Sequence, residues 1–184
     1  GRLLELSRPL GQAGLEDLWR AELHQEVGLL SANQKALQAV ERKLNALGRG
    51  DARVQLLRSI PGVGPRLSEA FVAAIDDPHR FRTGRQVGSY FGLTPRQYQS
   101  GSADRQGRIT GQGNRLVRSL LVEVAWLGLR HNEWMRGIYE RVRRGSPSRK
   151  KIAIVAVARR LAVLCWALLR DHSRWRQATA CTAA

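Results

Sequence analysis

The chain has 184 residues, 43% of them hydrophobic, and a formal net charge of +16 from 31 Lys and Arg against 15 Asp and Glu. That length suits one domain of ordinary size, or one domain plus an appended helix, and the hydrophobic share excludes wholesale disorder. The charge makes a small-molecule enzyme with a neutral surface a poor reading and a phosphate-rich partner a better one.

Residues 15–47 contain no Pro and one Gly, Gly28. Leu23, Leu30, Leu37 and Leu44 recur every seven residues, with Val40 and Leu47 in the companion position and Glu26 and Asn33 filling it earlier. The pattern predicts a long amphipathic helix with a coiled-coil seam about three heptads long, stopped by Gly48-Arg49-Gly50. Such a seam pairs with another helix or packs on its own domain. Polar residues in it lower stability and fix register. Residues 1–50 hold seven basic and six acidic residues, so nearly all of the positive charge belongs to 51–184. Only Lys35, Lys43, Lys150 and Lys151 are lysines. A GC-rich genome would account for Arg over Lys, but not for the charge itself.

A short helix is expected over 51–59, then the turn Pro61-Gly62-Val63-Gly64-Pro65, then a helix over 66–75 ended by Asp76-Asp77-Pro78. A third helix is expected over 83–91. The Gly-rich stretch 93–113 reads as a loop, and its length marks it as functional. Asn114 caps a helix to about 130, and another runs from 133 to 144. Gly145-Ser146-Pro147 is a turn, and Ser148 is placed to cap a helix over 149–170. Residues 172–184 read as a loose tail. No strand alternation is evident, so the expected fold is mainly α: a long N-terminal coiled-coil helix (1–50) followed by a compact helical domain (51–171). Arg159 and Arg160 interrupt the apolar run Ile152–Leu169, which reads as a buried core helix with no membrane role.

Three constellations carry chemistry. Ile60-Pro61-Gly62-Val63-Gly64-Pro65 between two helices resembles a helix-hairpin-helix, a backbone binder of nucleic acid. Gly62 and Gly64 permit the turn, the start of the next helix offers N–H groups to phosphate, and Arg58 and Arg66 flank it. Ser68 stands where such hairpins often carry Ala. The loop then sets hydroxyls among Arg96, Arg105, Arg108 and Arg115, which could offset charge on an attacked phosphodiester. Ser100, Ser102, Thr110 and Tyr98 are all possible nucleophiles, and spacing does not choose among them. Finally, Arg141, Arg143, Arg144, Arg149, Lys150 and Lys151 crowd a helix start, against its dipole, as an anionic partner would favour. His24, His79, His131 and His172 are scattered, and no carboxylate set suits a two-metal nuclease, so no metal site is expected in this chain. Cys165 and Cys181 imply no disulfide framework and fit a reducing, cytosolic setting. With neither a Met nor a signal-peptide pattern at its start, the chain reads as a fragment or a processed form.

In order along the sequence stand the hairpin Ile60–Ile75, Tyr90-Phe91-Gly92-Leu93-Thr94-Pro95, Ser100-Gly101, Gly107-Arg108-Ile109-Thr110, Gly113-Asn114, Leu116–Leu121 and Lys150–Leu161. This string resembles the C-terminal transposase domain of the DEDD-type insertion-sequence transposases, the bridge-RNA-guided recombinases of the IS one-ten group, over about 51–171. The resemblance implies a bacterial, nucleoid-associated protein that exchanges DNA strands under a structured guide RNA. It implies a serine nucleophile, which maps to Ser100, and a transient phosphoserine link. It also implies an N-terminal RuvC-like domain whose carboxylates bind Mg²⁺, a linking coiled coil matching 15–47, and a composite site shared between protomers of a homo-oligomer. The metal domain has no counterpart here, so the chain alone is expected to be inactive. Thr110-Gly111-Gln112 departs from the many relatives that carry Lys after the Thr. The alternatives from other classes are a non-catalytic helix-hairpin-helix DNA- or RNA-binding module and a basic RNA-binding structural protein.

Overall fold

A computed structural model describes residues 2–100 and 103–176, with the backbone alone described for 98–100 and 103–106. Among the described residues the fold is mainly α, and the chain divides into two compact units, Gly1–Leu47 and Gly48–Ala184.

The first unit opens with a short helix, α1 (Arg2–Leu6), and two single 3₁₀ turns. Helix α2 (Leu18–Gly50) begins three residues later than expected, after the 3₁₀ turn Leu15–Asp17. It also runs through Gly48 and Arg49 instead of stopping there. Glycine weakens a helix by only about 1 kcal/mol. At Gly48 it also makes room, because a Cβ there would press on the Glu69 carboxylate. The break comes at Asp51, whose backbone is extended and whose carboxylate accepts from the Arg53 N–H at 2.8 Å to cap α3 (Ala52–Arg58).

In the second unit α3 is followed by α4 (Pro65–Ile75), α5 (Gly84–Tyr90), α6 (Arg115–Gly128), α7 (Glu133–Arg143) and α8 (Lys150–Arg170). These lie within two residues of the expected limits, because caps set them. Thr83 and Gln86 form a capping box on α5, and Asn114 and Asn132 accept from Val117 and Met135 at α6 and α7. Ser148 is not the cap of α8. A 3₁₀ turn, Pro147–Arg149, leads into that helix, and the Ser148 hydroxyl instead pairs with Ser146 at 2.9 Å.

Helix α8 is the hub. It packs against α3, α5, α6 and α7, and Ala153, Val157, Ala158, Leu161, Ala162 and Cys165 are fully buried along it. Its length and mean hydropathy would also suit a membrane span, yet its buried positions are the domain's own core. Phe71, Phe91, Leu57, Ile75, Leu121 and Met135 complete that core.

Two expectations change. The segment expected to be a structureless loop contains an antiparallel ribbon of β1 (Pro95–Ser100) and β2 (Ala103–Ile109), with Ser100 opposite Ala103 and Tyr98 opposite Arg105. Its strands read PRQYQS and ADRQGRI, so no buried apolar face produces the period of two by which strands are recognised. The tail is also tied down as far as Trp175. That indole packs edge-on against Trp134, and its backbone N–H donates to the Ser59 hydroxyl at 2.8 Å. Residues 177–184 lie outside the described part.

Candidate nucleic-acid interface

The ribbon springs from a rigid root. Phe91 and Leu93 are buried on the near side, with the Phe91 ring 5.2 Å from Phe71. The Tyr90 hydroxyl donates to the Ala74 carbonyl, and Arg80 stacks over Tyr90 and Phe81. The two ends of the excursion then cross at Gly92 and Gly113, both at positive φ (65° and 77°). A Cβ at Gly92 would strike the Gln112 backbone, and one at Gly113 the Tyr90 carbonyl. Only glycine meets both demands at once. Thr110 N–H donates to the Thr94 carbonyl at 2.8 Å, Gly111 N–H to the Gly92 carbonyl at 3.2 Å, and the Arg118 guanidinium to the Phe91 and Gln112 carbonyls at 3.1 and 2.8 Å. Arg118 therefore clasps both sides of the root from α6.

Ser100 ends β1. The side chains of Tyr98, Ser100 and Arg105 lie outside the described part, as do Gly101 and Ser102 altogether. Arg96 donates to the Thr110 carbonyl across the ribbon at 3.3 Å, and Arg108 is exposed on β2. Arg115 is exposed at the first position of α6.

The turn between α3 and α4 forms a second feature. Gly62 takes φ 93°, which only glycine adopts freely, and Gly64 precedes Pro65 at the first position of α4. The turn is braced from behind: the Asn132 amide donates to the Pro61 carbonyl at 3.0 Å. Ser68 is buried, its hydroxyl returned to the Gly64 and Pro65 carbonyls. Arg58 is exposed, whereas Arg66 is half-buried and ion-paired with Glu69 at 3.4 Å.

Lys150 and Lys151 are exposed at the start of α8. Lys151 and Arg108, far apart in sequence, line one groove between α5, α7, α8 and the foot of the ribbon. Arg85, Arg159 and Arg160 complete its cationic rim together with Arg141. Three of these escaped the reading of motifs. A signal existed, since Lys151, Val155, Arg159 and Val163 follow one another at helical spacing and share one face of α8. Arg58, Gly62, Gly64, Arg66, Arg96 and Arg115 do not line this groove. Among the described residues no three His, Cys, Asp or Glu side chains come together to hold a metal ion.

The sequence profile described as the Transposase IS116/IS110/IS902 family matches residues 54–140, which takes in the α3–α4 turn, the ribbon and its root. The chain carries a transposase domain of this family. It is 34% identical over 163 residues to a probable family 20 transposase of Pseudomonas aeruginosa, which covers 84% of this chain and 46% of that protein. It is 33% identical over 150 residues to the transposase for insertion sequence element IS1111A of Coxiella burnetii, covering 77% of this chain and 40% of that one. A pilin gene-inverting protein of Moraxella bovis is 31% identical over 123 residues, 65% of this chain and 38% of the relative. The chain thus spans less than half the length of these curated relatives. The matched stretch, 54–140, lies within the second compact unit.

Proposed function

We propose that this chain is the nucleic-acid-gripping and nucleophile-presenting part of an insertion-sequence transposase that exchanges DNA strands under a guide RNA. The observation that carries the reading is the ribbon itself. It is a polar excursion ending β1 at Ser100, mounted on a glycine crossing and an arginine clasp inside the region that matches the transposase family. A nucleophile set on a rigidly rooted strand avoids the orientational cost that a free loop would bring to each reaction. In the step envisaged, the Ser100 hydroxyl oxygen forms a bond to phosphorus, one DNA oxygen leaves, and the serine proton passes to a base supplied from outside this chain. Arg96, Arg105, Arg108 and Arg115 offset the negative charge that develops on the non-bridging oxygens. The relative named for inverting a pilin gene supports strand exchange over simple cleavage.

In this reading the Mg²⁺ implied by the resemblance is held by the carboxylates of a RuvC-like domain, while the residues of this chain bind DNA, orient the serine and offset charge. The α3–α4 turn is read as a helix-hairpin-helix holding phosphate through Arg58, Gly62, Gly64 and Arg66. Lys150 and Lys151 add a second contact region. The heptad face of α2 serves homo-oligomerisation, which brings the ribbon of one protomer to the metal domain of another. The setting is the bacterial cytoplasm, at the nucleoid.

The test is strand exchange by a parent protein that joins this chain to its carboxylate domain, wild type against Ser100→Ala, with denaturing gels for a covalent protein–DNA adduct. The expected result is an adduct in the wild type and none in the variant, with DNA binding unchanged. An adduct that survives moves the nucleophile to Tyr98, Ser102 or Thr110. Equal activity without an adduct in either protein reduces the domain to a non-catalytic helix-hairpin-helix clamp.

A further inference from the structure

The groove between α5, α7, α8 and the foot of the ribbon brings together three of the motif stretches, Tyr90–Pro95, Gly107–Thr110 and Lys150–Leu161, with residues of α5 and α7 outside them. It encloses about 1460 Å³. Six cations face it, Arg85, Arg108, Arg141, Lys151, Arg159 and Arg160, against a single carboxylate, Glu133. Between the cations the walls are apolar, with Trp134, Ile138 and Val142 from α7 and Ile152, Val155 and Val163 from α8. Charge of one sign on the rim calls for a polyanion. The apolar walls narrow the choice. A duplex keeps its base faces stacked inside and offers such walls little, whereas a single strand turns phosphates toward the cations and lays sugars and base faces on apolar surface.

The groove also has a direction. Arg85 and Arg159 line it and, at the same time, a second recess of about 480 Å³ shared with Ser89, Thr94 and Gln97. Gln97 lies on β1, three positions before Ser100. Arg85 and Arg159, shared by both cavities, set the groove beside the recess that reaches β1. Arg159 is set for this by Gly88, where the smallest side chain would already approach its Nε at 3.0 Å.

We propose that this groove is a track for a short single-stranded stretch of DNA, delivering it to β1. The inference rests on the reading of the ribbon as the DNA-reacting element. Groove binding is measured without chemistry, so the two can fail separately.

The probe is a fluorescent oligothymidylate about a dozen nucleotides long, within the site sizes of known single-strand grooves, titrated with the 184-residue chain. The groove variant is Arg85→Gln, Lys151→Gln, Arg160→Gln, at three exposed positions, with folding checked by circular dichroism. A control variant, Arg49→Gln, Arg130→Gln, Arg174→Gln, removes the same charge from exposed positions off the groove. The groove variant is expected to weaken single-strand binding at least about tenfold and to flatten the salt dependence by about two in slope, while the control changes affinity less than about threefold. Unchanged affinity in the groove variant, an equal loss in the control, or an equal loss on blunt duplex each overturns the proposal. So does tighter binding of oligouridylate through the same residues, which assigns the track to RNA.

Discussion

Gly92, Gly111 and Gly113 all take positive φ within the span of one root, but they face different surroundings. A Cβ at Gly113 meets the Tyr90 carbonyl and one at Gly92 the Gln112 backbone, whereas at Gly111 nothing lies within 4 Å. Gly111→Ala is therefore expected to cost only the left-handed penalty, about 1–2 kcal/mol. Gly92→Ala and Gly113→Ala add overpacking against backbone that cannot yield, for a total of at least about 3 kcal/mol. Urea unfolding of the three variants measures the contrast, and three equal losses would remove the crossing as the anchor of the ribbon. Arg118→Lys keeps the charge, but both bonds leave the terminal Nη1 nitrogen, and the shorter lysine side chain does not carry its ammonium to that point. It is expected to spare single-strand affinity while lowering strand exchange in the parent protein. The sequence marks this stretch as glycine-rich. It does not mark which glycines are obligatory, because the sign of φ and the neighbouring carbonyl are set by Tyr90 and Gln112, about twenty residues apart.

At the scale of elements, caps explain why helix limits were legible to within two residues in the domain. Asn114, Asn132 and the Thr83–Gln86 box are local signals that need no tertiary partner. The ribbon was illegible for the opposite reason: PRQYQS and ADRQGRI do not alternate apolar with polar residues, so they carry no period of two. Asn132 does more than cap. It is buried, its carbonyl oxygen accepts from Met135 N–H, and its amide braces Pro61 in the α3–α4 turn. Asn132→Ala is expected to cost about 1–2 kcal/mol, one cap plus one part-buried hydrogen bond to the Pro61 carbonyl. A loss below about 0.5 kcal/mol would show that the turn is not braced from α7. Asp51 gives an element-scale pH effect. The Arg53 side chain beside it holds its carboxyl below the ordinary value of 3.8. A depressed folded value adds stability that is present above 3.8 and disappears as pH falls through the lower folded value. The stability gap between wild type and Asp51→Asn, followed by urea midpoints, should hold steady from neutral pH down to that region and then close. A gap that persists to the lowest pH would mean the Asp51 charge contributes nothing.

At the scale of the whole molecule, the parts that composition made legible are those that repeat or accumulate: the positive charge of 51–184 and the heptads of α2. The groove was not legible as a unit, because Arg85, Arg108, Arg141 and the Lys151–Arg160 face come from four separate elements. The heptads lead to a prediction that only an assembly can answer. Within this chain Leu30, Leu37, Val40, Leu44 and Leu47 are all exposed, the last at 73%. A row of leucines at that spacing along a 33-residue helix is costly to leave in water, and a second copy of α2 would cover it. Sedimentation equilibrium at tens of micromolar is expected to show a mass that rises with concentration above 20.6 kDa. Leu37→Glu with Leu44→Glu should return it to monomer without altering the melting of the second unit, because both positions lie in the first. Asn33→Leu should act in the opposite sense, tightening association while loosening register, since a polar seam residue trades stability for alignment. A monomer at all concentrations would remove α2 as the pairing element, and a dimer indifferent to the double Glu variant would place the interface elsewhere on the chain.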